Sequence, residues 1–179
     1  MTQHIYIIRH AQATGQEPEA RLTTIGEQQA YSLAKFLNQY KIDRIITSPF
    51  IRAVHTIEPF AREHGYPIEL DRRIGEGLIN ERQFSRWLTH LTNQFQDVSF
   101  TPIETDSPEN KRERAIEAIE DIKKESNTST AIVSHGGIIP LLFHHFGYGA
   151  AFSRLTNPDV HLLTISETDT TIERIWQPY

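Results

Sequence analysis

His4-Ile5-Tyr6-Ile7-Ile8-Arg9-His10-Ala11 is the stretch on which the reading of this chain turns. Its unbroken apolar run does not alternate with polar residues, so both faces of the segment want burial. That is the mark of a strand inside a parallel sheet. The run ends in an Arg-His pair and then in a polar loop, Gln12 to Arg21, with Gly15 and Pro18. In open α/β sheets ligands bind beyond the carboxyl ends of the strands. Arg9 and His10 therefore stand where chemistry is expected.

The remaining segments repeat the alternation. Thr24 and Glu27 have capping-box spacing, and Ala30, Leu33, Ala34 and Leu37 give a helix one apolar face. Asp43 to Thr47 reads as a second strand. Ser48-Pro49 then predicts a helix start, serine as cap and proline at the first helical position, with Arg52 in the first turn. Pro59 is expected to kink or divide that helix. Ile68-Glu69-Leu70 is a short third strand. A helix is expected from about Phe84 to Phe95, and another opens at Ser107-Pro108. Thr130 to Ser134 is a fourth strand, running into His135-Gly136-Gly137 and a helix from Ile138 to Phe146. Val160 to Ser166 and Thr171 to Trp176 read as two final strands, which a turn at Thr168-Asp169 could join as a hairpin. Strands alternating with helices predict an α/β fold with a mainly parallel sheet of about six strands, covered on both faces.

The chain has 179 residues, which suits one domain, and a net charge of −5. That charge argues against a general nucleic-acid binder. No cysteine is present, so disulfides, thiolate nucleophiles and cysteine zinc sites are excluded. No apolar run reaches membrane-spanning length, and no signal peptide is visible, so a cytoplasmic protein is expected. Oligomeric state is not legible. An acidic protein that binds an anion needs a local cluster of cations. Arg9, His10, Arg52 and His135, all at predicted strand ends or helix starts, would supply one. Phosphate is the ligand that fits best, because arginine grips its oxygens in a bidentate fork.

Arg9-His10-Ala11, Leu22-Thr23-x-x-Gly26, Ser48-Pro49-x-x-Arg52-Ala53-x-x-Thr56 and Ser134-His135-Gly136-Gly137 together resemble the histidine phosphatase superfamily, in family order. The resemblance implies a three-layer α/β/α sandwich of the phosphoglycerate mutase-like kind. It implies one domain over residues 1–179, with 71–111 as a pocket-covering insertion. It implies a phosphoric monoester hydrolase, similar to histidine acid phosphatases, acting on a small phosphorylated substrate with no cofactor and no metal. His10 would become phosphohistidine, and Arg9, Arg52, His135, Gln16 and Gly136 would bind the phosphate. Glu81, in Glu81-Arg82-Gln83-Phe84-Ser85-Arg86-Trp87, matches the family's acid better than Glu76 does and is preferred over it.

The chain departs from the family at Ala11, where glycine is commoner, at Gln16, where mutases have asparagine, and at Ser85. It also lacks the Arg-Arg-Ser-Tyr-like segment of mutases. The alternatives are mutase-type phosphoryl transfer and a non-catalytic phosphate-binding regulatory domain. Arg112 and Arg114 read as a solvated helix face, Lys111 similarly, and Asn157 as a turn residue. His144 and His145 are adjacent on one helix, about 100° apart, and so are poorly placed to chelate one ion.

Overall fold

The computed structural model describes residues 1–92, 106–125, 129–149 and 154–178. Its strands are β1 (Gln3–Arg9), β2 (Arg44–Thr47), β3 (Ile68–Leu70), β4 (Ser129–Ser134), β5 (Asp159–Ile165) and β6 (Thr170–Trp176). Its helices are α1 (Thr24–Leu37), α2 (Ile51–His64), α3 (Glu81–Thr92), α4 (Pro108–Lys124) and α5 (Ile139–His145). The strands form one sheet in the order β3-β2-β4-β1-β5-β6.

The continuous apolar run of β1 is explained by its place beside β4 in the middle of the sheet. Ile5 and Ile7 point into a core with Ala115, Ile119 and Ile122 of α4 and Leu142 and Phe143 of α5. Tyr6 and Ile8 point into a second core with Leu33 and Leu37 of α1 and Ile57 and Phe60 of α2. Each fully buried isoleucine contributes about 1.5–3 kcal/mol relative to exposure. Displacing β1 would therefore strip apolar contacts from both cores at once.

β1 pairs in parallel with β4, β4 with β2, and β2 with β3. β5 runs antiparallel to β1, and β6 antiparallel to β5. The sheet is thus mixed rather than uniformly parallel. The short turn at Ser166–Asp169 leaves no room for a helical crossover, so β5 and β6 form a hairpin. The consequence for function is direct. The carboxyl ends of β1, β2, β3 and β4 share one edge, and the Arg9–Asp159 register brings the amino end of β5 to it as well.

Helix starts are set by local side chains. Thr23, one residue before the predicted cap, accepts from the Gly26 amide at 3.0 Å. Ser107 caps α4 through the Asn110 amide, with Pro108 just inside the helix. α2 begins two residues later than Ser48-Pro49 predicts, with Phe50 in the capping position. Ser48 Oγ still accepts from the Phe50 amide at 3.2 Å, so it organises the corner rather than the helix. Pro59 does not divide α2, which continues to His64. Arg114 is not on a solvated face: its side chain is buried against Asp106. Phe95, the expected end of α3, lies outside the described residues.

α3 is held by Trp87, whose Nε1–H donates to the Pro49 carbonyl at 2.6 Å. The ring is fully buried with Phe50, Ile51 and Ile79. This contact braces the back of the Ser48-Pro49-Phe50 corner. Trp87→Ala is expected to lower unfolding stability by about 3–5 kcal/mol in denaturant titration, and Trp87→Phe by much less.

Candidate active site

His10 leaves the end of β1 and is nine-tenths or more buried. Its Nδ1 lies 2.7 Å from the Ala11 carbonyl oxygen. A carbonyl only accepts, so Nδ1 carries the proton and Nε2 carries the lone pair. Arg52 Nε–H donates to that lone pair at 3.2 Å. Burial pushes the imidazole down to about 4; Arg52 and Arg9 add to the shift, and the Ala11 carbonyl opposes it. The charge of the neighbouring arginines is thus the smaller cause, and desolvation the larger.

Arg52 is fully buried. Its Nη1 donates to the carbonyls of Gln16 at 3.1 Å and Glu17 at 2.9 Å, and its guanidinium sits 5.0 Å over the Phe50 ring. Arg9 Nη1 donates to the Leu155 carbonyl at 2.6 Å. His135 is fully buried, its ring 5.1 Å from that of His10 and edge-on to Phe50. Its Nε2 lies 2.7 Å from Ser48 Oγ. Burial, then the charges of the groups around it, hold His135 well below the usual imidazole range. Arg9 Nε, Arg52 Nη2 and His135 Nδ1 are buried and have no hydrogen-bond partner among the described residues.

A cavity of about 210 Å³ is lined by Arg9, His10, Gln16, Glu76, Gly136, Gly137, Pro140 and Leu155. The paired glycines let two side chains come close. A Cβ on Gly136 would lie 3.0 Å from Arg9 Nη2, and one on Gly137 would displace the Glu76 carboxylate. Glu76 Oε2 accepts from the Gly137 amide at 3.3 Å and lies 3.8 Å from His135 Nδ1.

The structure therefore gathers Arg9, His10, Gln16, Arg52, His135 and Gly136. It does not bring Glu81 to them. Glu81 is exposed and lines a different cavity with Arg72, Asn80 and Phe84. The reason is local. Asn80 Oδ1 accepts from the Gln83 amide at 2.8 Å and Gln83 Oε1 from the Asn80 amide at 3.3 Å, a reciprocal cap. Glu81 falls in the first turn behind that cap, where a carboxylate suits the helix dipole. Glu76 instead follows the carboxyl end of β3. An Asn-x-x-Gln capping pair ahead of the Phe84 helix is the local pattern from which Glu81's place in a helix turn can be read.

Other residues brace the site, two of them inside the motifs quoted above. Thr56 Oγ1 accepts from the Ala11 amide at 2.8 Å, and Ala11 is fully buried. Asn157, read from sequence as a turn residue, donates from Nδ2 to the His10 carbonyl at 2.9 Å. Asp159 holds the same loop through the Thr156 amide at 2.8 Å and is itself paired with Arg174.

Buried cationic donors around a neutral imidazole form an arrangement suited to an anion. The family model for the histidine phosphatase superfamily (branch 1) matches residues 5–176, and the chain belongs to that family. The protein named "Putative phosphoserine phosphatase 2" of Hydrogenobacter thermophilus is 27% identical over 150 residues, covering 75% of this chain and 74% of that one. A phosphoserine phosphatase from Entamoeba histolytica, solved with 3-phosphoglyceric acid, shares the fold with a TM-score of 0.69 at 18% identity, covering 98% of each chain. A phosphoglycerate mutase from Bacillus anthracis does so with a TM-score of 0.72 at 14% identity, covering 97% of this chain and 92% of its own. Family membership and the phosphatase relative support phosphatase activity.

The depressed His10 value has a stability consequence. Between its unfolded value of 6.5 and about 4, the unfolded chain binds a proton that the folded chain does not. Stability is therefore full above about pH 6.5 and falls by roughly 3 kcal/mol toward pH 4 on account of this group. Denaturant titrations across that range should show a shallower pH slope for His10→Gln than for the wild type.

Proposed function

We propose that the protein is a phosphomonoesterase that hydrolyses a small phosphorylated metabolite through a phosphohistidine on His10, with Glu76 as proton donor and acceptor. The observation that carries this reading is the set of buried nitrogens, Arg9 Nε, Arg52 Nη2 and His135 Nδ1, that have no hydrogen-bond partner among the described residues and gather about a neutral imidazole. With the Ser48 hydroxyl donating to His135 Nε2, His135 Nδ1 carries the proton and all three are donors. Such donors need an anion, and three of them match the equatorial oxygens of a phosphoryl group in transfer. The arginines here offer the charge neutralisation that a metal ion gives in other phosphatases, and His135 a hydrogen bond, so no metal is assigned a step.

In the first step Arg52 Nε–H turns from His10 Nε2 to a phosphoryl oxygen, and the freed lone pair attacks phosphorus in line. The N–P bond forms as the ester P–O bond breaks, and the leaving oxygen takes the proton of Glu76. The ring becomes cationic, and the Ala11 carbonyl on Nδ1–H stabilises that charge. In the second step Glu76 removes a proton from water, the water oxygen attacks phosphorus, and the N–P bond breaks. Inorganic phosphate leaves and His10 is again neutral. Gln16, Pro140 and Leu155 complete the wall of the cavity and suit a compact leaving group. We read the cores on the two faces of the sheet as a three-layer α/β/α sandwich. Residues 71–111, of which 93–105 lie outside the described residues, are read as its pocket-covering insertion, with Glu76 as its contribution to the cavity.

The test is a panel of phosphate esters assayed with wild type, His10→Ala, Glu76→Gln and Glu81→Gln. His10→Ala should fall to background. Glu76→Gln should lose about 10²–10⁴-fold in turnover and accumulate phosphate on His10. Glu81→Gln should stay within about twofold of wild type, as exposed positions do. Wild-type turnover by His10→Ala would falsify the phosphohistidine route, and a loss in Glu81→Gln rather than Glu76→Gln would return the acid to Glu81.

A further inference from the structure

Glu76 stands on irregular chain, between a 3-10 turn (Arg72–Ile74) and α3. A proton donor misplaced by about 1 Å can lose two orders of magnitude in rate, so something has to hold this segment. The structure supplies a buried ion pair for it. Arg114, from α4, donates through Nε and Nη2 to Asp106 at 3.3 and 2.7 Å. Its Nη1 donates to the carbonyls of Arg73 and Gly75, the latter at 2.8 Å. Asp106 Oδ2 in turn accepts from the Leu78 amide at 3.3 Å. The pair thus grips the backbone immediately before Glu76 and two residues after it. Ser134 Oγ adds one more bond, to the Ile74 carbonyl at 2.7 Å, and ties the segment to the end of β4.

The side chains of Arg114 and Asp106 are 8% and 4% exposed. A surface pair would be screened and loose, whereas this one is shielded from water and fixed by bonds at every donor used. A buried pair is also weak as a source of stability, since desolvation offsets most of its attraction. Its geometry points to placement instead. Only the fork of a guanidinium can reach a carboxylate and two carbonyls together; a lysine ammonium cannot reproduce that shape.

We propose that Arg114 and Asp106 are positioning residues that aim the Glu76 carboxylate at the leaving oxygen. This rests on Glu76 being the proton donor. The leaving group separates aim from mere folding. Nitrophenolate departs without a proton, whereas an alkoxide needs one, and kcat/KM covers the steps up to formation of the phosphoenzyme.

The experiment measures kcat/KM for glycerol 2-phosphate and 4-nitrophenyl phosphate with the full chain as wild type, Arg114→Lys, Asp106→Asn, Glu76→Gln and the Arg114→Lys/Glu76→Gln double variant. Arg114→Lys should lose about 10–100-fold on the alkyl ester and under about threefold on the aryl ester. In the Glu76→Gln background the same change should cost less than about twofold, because the group being aimed is gone. Equal losses on both esters, or a full additional loss in the double variant, would show a structural staple and overturn the proposal. If Arg114→Lys does not fold, Asp106→Asn, which keeps its partner's shape, gives the same comparison. Wild-type kinetics in Glu76→Gln would instead sink the proton-donor assignment itself, and no turnover of either ester by the wild type would sink the phosphatase reading.

Discussion

A fully buried guanidinium donating to a neutral histidine is the constraint around which this molecule is arranged. Arg52 contacts no carboxylate within ion-pair distance among the described residues; it is held by two backbone carbonyls and His10 Nε2. Burying a cation this way costs several kcal/mol after relaxation. The arrangement is tolerable only if His10 stays uncharged, and burial sees to that. It also requires the loop carrying Gln16 and Glu17 to fold over the start of α2, because their carbonyls take the place of water. The same constraint creates the function. A buried cation with donors to spare is a standing demand for an anion, and the lone pair of the imidazole lies within that demand.

Everything nearby serves to keep these groups in register. Ser48 holds His135, Thr56 holds the Ala11 amide, and Asn157 holds the His10 carbonyl. The Leu155 carbonyl holds Arg9. These supports come from the corner after β2, from α2 and from the segment before β5. Their convergence depends on the sheet order, with β1 flanked by parallel β4 and antiparallel β5. A parallel β5 would have put its amino end, and so Asn157 and Asp159, at the far edge. The antiparallel hairpin therefore completes the site as well as the sheet.

Legibility in the sequence followed the range of the interaction. Arg9, His10, Arg52 and His135 could be read because each sits at the end of a local pattern, a strand followed by a turn or helix start. Glu76 was harder to read, because its neighbourhood is irregular and Glu81 offered a closer motif. What separates them is whether each chain position reaches the cavity, and the Asn80–Gln83 cap decides it by committing Glu81 to a helix turn. Arg114 was read as solvated because its helix spacing is polar; its burial depends on Asp106 and on the backbone of the Glu76 segment, which that spacing does not encode.

The sequence by itself determined the alternation of strands and helices, the two-sided burial of β1, and the cations at the strand ends. Periodicity and capping are local, so they survive in one dimension. The tertiary structure decided the sheet order, that Glu76 lines the cavity beside His135, and which polar residues brace the histidines. Those outcomes rest on contacts between segments far apart in the chain, where sheet order and the turn before α3 fix distances that spacing along the sequence leaves open.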